Sequence, residues 1–281
     1  MSSEVARHLQ PLISEALTDT RVVGIVGPRQ AGKSTLAQRL VATTRAATYV
    51  TFDDLAVRTT AEADPQGFVT GRSGLLAIDE VQRVPNLLLA IKAEVDRDQR
   101  PGRFLITGSA QLSATRGVSD TLAGRIERFE LWPFSQSEVT GTPATLVDRL
   151  LDGDIPRGYH SSTTKLDYLG LAIAGGFPEV LQRTGRRRSA WFDAYVDTVI
   201  EREAPGVSAS PRTAELPRLL RLVAARHGAT LNVAELARAV RLPESSVHRY
   251  LEILEAIFLV RRVPPWATNL SKRKPEHPRS I

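Results

Sequence analysis

The sequence predicts an α/β fold in which a parallel sheet is followed by a helical segment and a winged helix-turn-helix. Short, continuously apolar runs alternate with helical stretches through the first half of the chain. Continuous apolarity is typical of strands that are buried on both faces, and therefore of a parallel sheet with crossover helices. Beyond residue 140 the pattern becomes mostly helical, and residues 204–211 have the composition of a linker. These changes divide the chain into three predicted regions: 1–140, 141–205 and 206–281.

The predicted elements of the first region alternate between helix and strand, each identified by its apolar spacing. They are a helix at 7–17, strands at 21–26, 48–52, 75–79, 103–109 and 127–134, and helices at 33–42 and 87–97. The last region is predicted to hold helices at 216–225, 232–240 and 244–256 and a β-rich stretch at 258–263. Three helices followed by a short strand are typical of a winged helix.

A glycine-rich loop directly follows the first predicted strand. The spacing Gly-x-x-x-x-Gly-Lys-Ser is that of a P-loop, whose glycines let successive backbone N–H groups converge on a phosphate. A strand before it and a helix after it match the structural context that this motif requires. We therefore predict an ATP site made by Gly27, Pro28, Arg29, Gln30, Ala31, Gly32, Lys33, Ser34 and Thr35.

Two side chains of this loop carry most of the predicted chemistry. Lys33 can reach the β- and γ-phosphates and is a predicted catalytic residue, while the Ser34 hydroxyl can bind Mg²⁺. The helix that begins near Lys33 adds the positive end of its dipole. The alternative is a glycine-rich turn before an ordinary helix, without a ligand.

An acidic pair, Asp79 and Glu80, ends the predicted strand at 75–79. In nucleotide hydrolases the strand-end aspartate holds Mg²⁺, and an adjacent glutamate polarises the attacking water. We therefore predict Asp79 as a metal ligand and Glu80 as the catalytic base. Two acidic residues that merely end a strand are the alternative.

Polar residues at the end of the next strand are candidates for sensing the nucleotide. Thr107 and Ser109 flank Gly108, and a hydroxyl here could contact the γ-phosphate or the water, with Ser109 the better placed. Arg125 and Arg29 are candidates to neutralise charge on the transferred phosphoryl group. A Thr-Gly-Ser turn and two surface arginines are the alternatives.

Composition excludes several classes of site. The chain has no cysteine and five scattered histidines, which excludes disulfides and thiolate metal sites and leaves Mg²⁺ as the expected metal. The formal net charge of +6 lies entirely in residues 151–281. A basic half is typical of proteins that bind nucleic acid, but an arginine-rich composition gives the same bias without a ligand.

The predicted helix-turn-helix has two possible uses. Its exposed surface would carry Ser245, Ser246, His248 and Arg249, with Arg261 and Arg262 on the wing. These residues could meet DNA phosphates or bases, whereas a winged helix attached to an ATPase also serves as a lid or a protein docking module. DNA, a protein partner and a second copy of the chain all stay open.

Neither a membrane span nor a signal peptide is predicted. The apolar runs are short, and residues 1–8 lack the apolar stretch of a secretory signal. We therefore expect a cytoplasmic protein that does not enter a membrane.

Several motifs in a fixed order resemble one family. They are the loop at 27–35, the Asp-Glu-x-Gln strand end at 79–82, the segments 105–109, 122–125 and 175–179, and the winged region. Together they are similar to bacterial and archaeal AAA-type ATPases that carry a C-terminal domain of unknown function. The resemblance covers nearly the whole chain and implies an AAA-like core that uses ATP with Mg²⁺.

The chain departs from this family at its C-terminal end. Members usually continue past the position of residues 272–274 into a further α/β domain, whereas the sequence here stops at Ile281. This difference suggests a naturally shortened or degraded copy, in which ATP binding survives and the output function is lost. The expected activity is slow Mg²⁺-dependent ATP hydrolysis that drives a conformational change. An ATP-gated DNA-binding regulator, a binding module without turnover and a P-loop phosphotransferase are the alternatives.

Overall fold

The computed structural model describes residues 5–109, 121–154, 158, 160–207, 215–264 and 279–280. Its centre is a five-stranded sheet in which every pair of neighbours is parallel, with the order β2-β3-β4-β1-β5. The strands are β1 (Val22–Val26), β2 (Thr48–Thr51), β3 (Leu76–Asp79), β4 (Phe104–Gly108) and β5 (Ile126–Glu130).

The strands that the sequence predicts to be buried form the middle of the sheet. β1, β3 and β4 are buried at every position, whereas the edge strands β2 and β5 are half-buried or exposed. The last strand ends at Glu130, although the sequence predicts 127–134. Because the sheet is parallel, the carboxyl ends of β1, β3 and β4 lie side by side. They form the edge at which the strands end, where ligands of α/β proteins bind.

Helices cover both faces of this sheet and fill two apolar clusters, one on each side. They are α1 (Leu9–Asp19), α2 (Lys33–Thr43), α3 (Leu55–Ala63), α4 (Pro65–Val69) and α5 (Leu87–Arg97), and a 3₁₀ turn (Val81–Arg83) follows β3. Their apolar faces cover strands that would otherwise be in contact with water.

The rest of the described chain is helical apart from two short strands. It contains α6 (Gln136–Thr140), α7 (Leu146–Leu151), α8 (Lys165–Ala174), α9 (Gly185–Val207), α10 (Leu216–Ala224), α11 (Val233–Val240) and α12 (Glu244–Ala256), then β6 (Arg262–Val263) and β7 (Arg279–Ser280). α6, α7 and α8 bury no residue, so they add little to either core.

A third apolar cluster, which we call the C-terminal core, joins α9 to α10, α11 and α12. The predicted linker at 204–211 is therefore partly wrong, because α9 continues through Val207; residues 208–211 lie outside the described part. The β-rich stretch predicted at 258–263 is strand only at Arg262–Val263, since Phe258 has a left-handed φ of 61°. β6 pairs with β7 as an antiparallel ribbon after the three helices, and the winged-helix assignment stays a prediction.

Candidate functional site

The P-loop connects β1 to α2 and needs glycine at two positions. Gly27 has a φ of 151°, and a Cβ atom there would lie 2.2 Å from the carbonyl oxygen of Leu131. Gly32, which precedes α2, has a φ of 96°, a backbone conformation that residues with a side chain rarely adopt. The loop therefore passes close to the backbone of Leu131, just after β5, and then leads directly into α2.

Lys33 lies inside this loop. Its side chain is only 5% exposed, and its ammonium group donates hydrogen bonds to the carbonyl oxygens of Gly27 at 3.0 Å and Pro28 at 2.8 Å. Burial lowers the pKa of Lys33, while the charges of Glu80 and Asp79 act to raise it. The carbonyl groups of the loop therefore hold the Lys33 ammonium against the loop.

Asp79 ends β3 as a buried carboxylate with three hydroxyl donors. Tyr49 donates to Oδ2 at 3.0 Å, Thr51 donates to the same oxygen at 3.5 Å, and Thr107 donates to Oδ1. Burial, followed by the charge of Asp79, raises the pKa of Tyr49 to about 12, so this phenol stays protonated. Ser34 also lies close enough to the Tyr49 hydroxyl to lower its pKa slightly, against the larger effects of burial and Asp79, so both predicted metal ligands lie near one tyrosine.

The donor set at this edge fits Mg²⁺. A serine hydroxyl and a carboxylate are hard oxygen ligands, and Mg²⁺ sites usually combine one or two carboxylates with water and substrate phosphates. Within the described residues, no group of three or more His, Cys, Asp or Glu side chains could hold a metal by itself. Ser34 and Asp79 are therefore suited to a metal that arrives with a phosphate-bearing ligand.

Glu80 follows Asp79 and turns the chain sharply. Its φ of 58° is left-handed, and its N–H donates to the Thr107 hydroxyl at 3.3 Å. Its carboxylate accepts a hydrogen bond from Gln82 Nε2 at 2.5 Å. The other atom of that amide, Gln82 Oε1, is buried without a hydrogen-bond partner in the described part of the chain. An unsatisfied acceptor beside a carboxylate is suited to a water molecule.

Ser109 and Arg29 share one partner that the sequence did not indicate. Ser109 donates to Oε2 of Glu203 at 2.8 Å, and Arg29 Nε donates to the other oxygen of the same carboxylate. Gln82 Nε2 also lies 3.4 Å from Ser109 Oγ. One chain of hydrogen bonds therefore runs from Glu80 through Gln82, Ser109 and Glu203 to the P-loop.

A cavity of about 440 Å³ opens beside these groups. This volume lies in the range of small-molecule sites. Its walls come from the P-loop, the end of β3, the loop before α9 and α9 itself. The lining residues are Arg29, Gln30, Gly32, Lys33, Ser34, Thr35, Glu80, Pro178, Glu179, Thr198 and Arg202. Two other residues of the loop do not line the cavity. Ala31 is fully buried, and the carbonyl group of Pro28 accepts a hydrogen bond from Lys33.

Arg125 is not brought to this cavity, which corrects its expected role within one chain. It precedes β5, and its carbonyl oxygen accepts a hydrogen bond from Val22 N at the start of β1. The P-loop begins after the five residues of β1, about 16 Å away at the usual strand rise. The Arg125 guanidinium instead pairs with Asp96, with an Nε–Oδ1 distance of 2.5 Å.

The sequence missed the residues of this site whose roles depend on tertiary contacts. Tyr49 looks like an ordinary strand residue, and Glu203 looks like one acid in a charged helix. A weak signal exists for Glu203, because it lies one turn after Val199 and Ile200 on the buried side of α9. Pro178 lines the cavity and belongs to the segment 175–179, one of the motifs on which the family resemblance rests.

The arginines predicted on the wing make contacts within the chain. Arg262 donates to Glu255, with an Nε–Oε2 distance of 2.8 Å. Arg261 lies 3.8 Å from Glu130 and over the Trp132 ring, 5.4 Å from its centre. Ser245, His248 and Arg249 are exposed on α12, whereas Ser246 is half-buried. Arg261 therefore contacts the end of the first predicted region, and both the winged helix and DNA binding stay predictions.

Comparison with known families identifies the first domain. Residues 19–140 match the model of an AAA domain. This part of the chain is similar to AAA domains of P-loop ATPases. An AAA domain is a nucleotide-binding, ATPase-like unit, so the predicted α/β fold class and the expected nucleotide-binding character are both confirmed. Residues 165–280 match a domain of unknown function, DUF8612, in agreement with the family that the sequence resembles.

Two curated relatives are 35% identical to this chain over 269 residues. They are the uncharacterized proteins Mb2031c of Mycobacterium bovis and Rv2008c of Mycobacterium tuberculosis. The match covers 95% of this chain and 55% of each relative. The chain therefore spans about half the length of the curated relatives it matches.

Solved structures of AAA proteins resemble the chain more distantly. A structure described under katanin self-assembly has a TM-score of 0.40 at 15% identity and covers 90% of this chain and 83% of its own. Thermotoga maritima RuvB has a TM-score of 0.37 at 18% identity, with coverages of 91% and 87%. Among the described residues, no helix is both long and apolar enough to cross a membrane.

Proposed function

We propose that this chain is a Mg²⁺-dependent ATPase, which hydrolyses ATP to ADP and phosphate and uses the cycle to move its helical and winged segments. The observation that carries the proposal is the convergence of Lys33, Asp79 and Glu80 on one edge of the sheet, beside a cavity of suitable size. Each has the chemistry that phosphoryl transfer requires: a cation, a metal ligand and a base.

Binding is assigned to the P-loop. Its amides and Lys33 would hold the phosphates, and Ser34 and Asp79 would hold the metal, which neutralises charge on the transferred group. Tyr49, Thr51 and Thr107 fix the Asp79 carboxylate in place before any ligand arrives. Such hydrogen-bonded support for a ligand oxygen contributes strongly to metal affinity.

Activation of water is assigned to Glu80. Gln82 holds one oxygen of its carboxylate, so the other oxygen can accept a proton from a water molecule in the cavity. The buried Gln82 Oε1 offers a second acceptor to the same water. Two acceptors at fixed positions would orient the water as well as polarise it.

Arginine assistance is restricted by the fold. Arg29 lies at the cavity and can neutralise phosphoryl charge within its own chain once it leaves Glu203. Arg125 lies at the opposite edge of the sheet. The charge-neutralising role predicted for it is therefore limited to a nucleotide bound by a neighbouring copy of the chain.

The test is Mg²⁺-dependent phosphate release from ATP by the wild-type chain and by Glu80→Gln. Glu62→Gln is the matched control, because Glu62 is exposed on α3, away from the cavity. We expect Glu80→Gln to retain ATP binding and lose about 10²- to 10⁴-fold in turnover, the usual contribution of a general base. Equal turnover in all three proteins would contradict the assignment of Glu80. Binding without turnover in the wild type would instead indicate a nucleotide-gated binding module.

A further inference from the structure

Glu203 is a buried acid whose position the proposed reaction does not explain. Glu203 is only 1% exposed. The other buried acids of the described chain, Asp79 and Glu94, have evident roles. Asp79 ends β3 at the predicted metal site, and Glu94 pairs with Arg103 at 2.9 Å. A carboxylate is costly to bury, so its partners must compensate for the lost hydration.

Both partners of Glu203 are residues that the sequence predicts to meet the terminal phosphate. One carboxylate oxygen accepts from Arg29 of the P-loop, and the other accepts from Ser109 after β4. An anion of this chain therefore already lies among the groups that would bind an anionic ligand.

We propose that Glu203 is an internal counter-ion that occupies the place of the terminal phosphate and so weakens the binding of ATP more than that of ADP. The proposal rests on the nucleotide site proposed above. Arg29 and Ser109 cannot serve the carboxylate and a γ-phosphate together, because two anions at one site repel each other. ATP must displace Glu203, whereas ADP lacks the phosphate that competes with it.

Displacement of Glu203 would be transmitted to the C-terminal core, the apolar cluster that α9 shares with α10–α12. α9 holds the P-loop through a second contact, the hydrogen bond from the Tyr195 hydroxyl to the carbonyl oxygen of Arg29 at 3.1 Å. Tyr195, Val199 and Ile200 on the same helix pack in the core shared with α10–α12. The helix that must release the phosphate site is therefore the helix that supports the C-terminal domain.

The decisive measurement is the affinity for MgATP and MgADP, by titration calorimetry, of the wild type and Glu203→Gln. Glutamine keeps the size and one acceptor oxygen, which can serve Ser109, and it removes the charge together with the oxygen that accepts from Arg29. Glu201→Gln, an exposed acid two residues earlier on α9, is the matched control. We expect Glu203→Gln to bind MgATP about tenfold tighter or more, from the removal of one like charge near the site, with MgADP changed less than about threefold.

The outcomes separate this proposal from the proposed function. Equal changes for MgATP and MgADP, or weaker MgATP binding in a folded Glu203→Gln protein, would overturn the counter-ion role and leave the nucleotide site intact. Absence of binding of either nucleotide to both proteins would overturn the site itself.

A measurement on the wild type makes the test independent of how well the variant folds. Hydrogen exchange of residues 198–207 is compared with MgATP and with MgADP bound. Faster exchange with MgATP alone is expected if ATP displaces Glu203, and identical exchange in the two complexes would overturn the proposal.

Discussion

The two edges of the central sheet carry charged groups in different ways. At the edge where the strands begin, Glu94 is buried and accepts hydrogen bonds from Arg103 and Arg97, each at 2.9 Å. At the edge where the strands end, Lys33 is held only by backbone carbonyl groups, and a buried amide oxygen of Gln82 has no partner among the described residues. The first edge pairs buried charges with each other, whereas the second, where we propose the nucleotide site, holds a buried cation against carbonyl groups.

The largest effect is expected on stability at the edge where the strands begin. Glu94→Ala would remove the buried one of the two carboxylates that pair with Arg103, leaving the half-buried Asp98, and it should lower the free energy of unfolding by about 3 kcal/mol. Urea denaturation measures this loss, with Glu15→Ala, an exposed acid on α1, as the control. Equal midpoints for the two variants would show that the pair does not stabilise the fold.

A change in metal dependence is expected at the other edge. Asp79→Asn keeps the size and one of the two acceptor oxygens and removes the charge that would bind Mg²⁺. We expect at least about tenfold more Mg²⁺ to be needed for half-maximal turnover. A titration of Mg²⁺ at saturating ATP measures it, and an unchanged midpoint would exclude Asp79 as a metal ligand.

A smaller effect is expected for the amide that orients Glu80. Gln82→Ala should lower kcat about tenfold, a fraction of what a general base contributes, and leave KM within about twofold. Steady-state kinetics separates the two constants. A rise in KM with constant kcat would mean that Gln82 contributes to binding and does not position Glu80.

The smallest effect is expected for the exposed ion pair at the opposite edge. The hydrogen bond from Arg125, the largest cause, holds the pKa of Asp96 below its ordinary value. The pair therefore contributes stability above the ordinary pKa of aspartate, and this contribution is lost as the pH falls through the lowered pKa. Thermal unfolding of Arg125→Ala should show a slightly lower midpoint at pH 7 and no difference from wild type in strong acid. A difference that persists in strong acid would assign the effect to packing.

Sequence alone predicted the motifs at the proposed ligand edge better than the contacts made around them. The P-loop and the acidic pair at 79–80 are local patterns, since each depends on a strand and the residues directly after it. Glu203 and Tyr49 act through partners that lie far away along the chain, and no local spacing encodes those meetings. Arg125 shows the limit of local patterns, because it directly precedes β5 and so lies at the edge where the strands begin. The burial of β1, β3 and β4 followed from apolarity alone.

The most direct test of the account is the binding of MgATP to the wild type and to Lys33→Ala. Lys165→Ala, which removes an exposed amine at the start of α8, is the matched control. The account predicts that Lys33→Ala binds MgATP about 100-fold more weakly, the loss expected for a buried charge-assisted contact, while Lys165→Ala binds as the wild type does. Equal affinity in all three proteins would contradict the conclusion that this edge of the sheet is a nucleotide site.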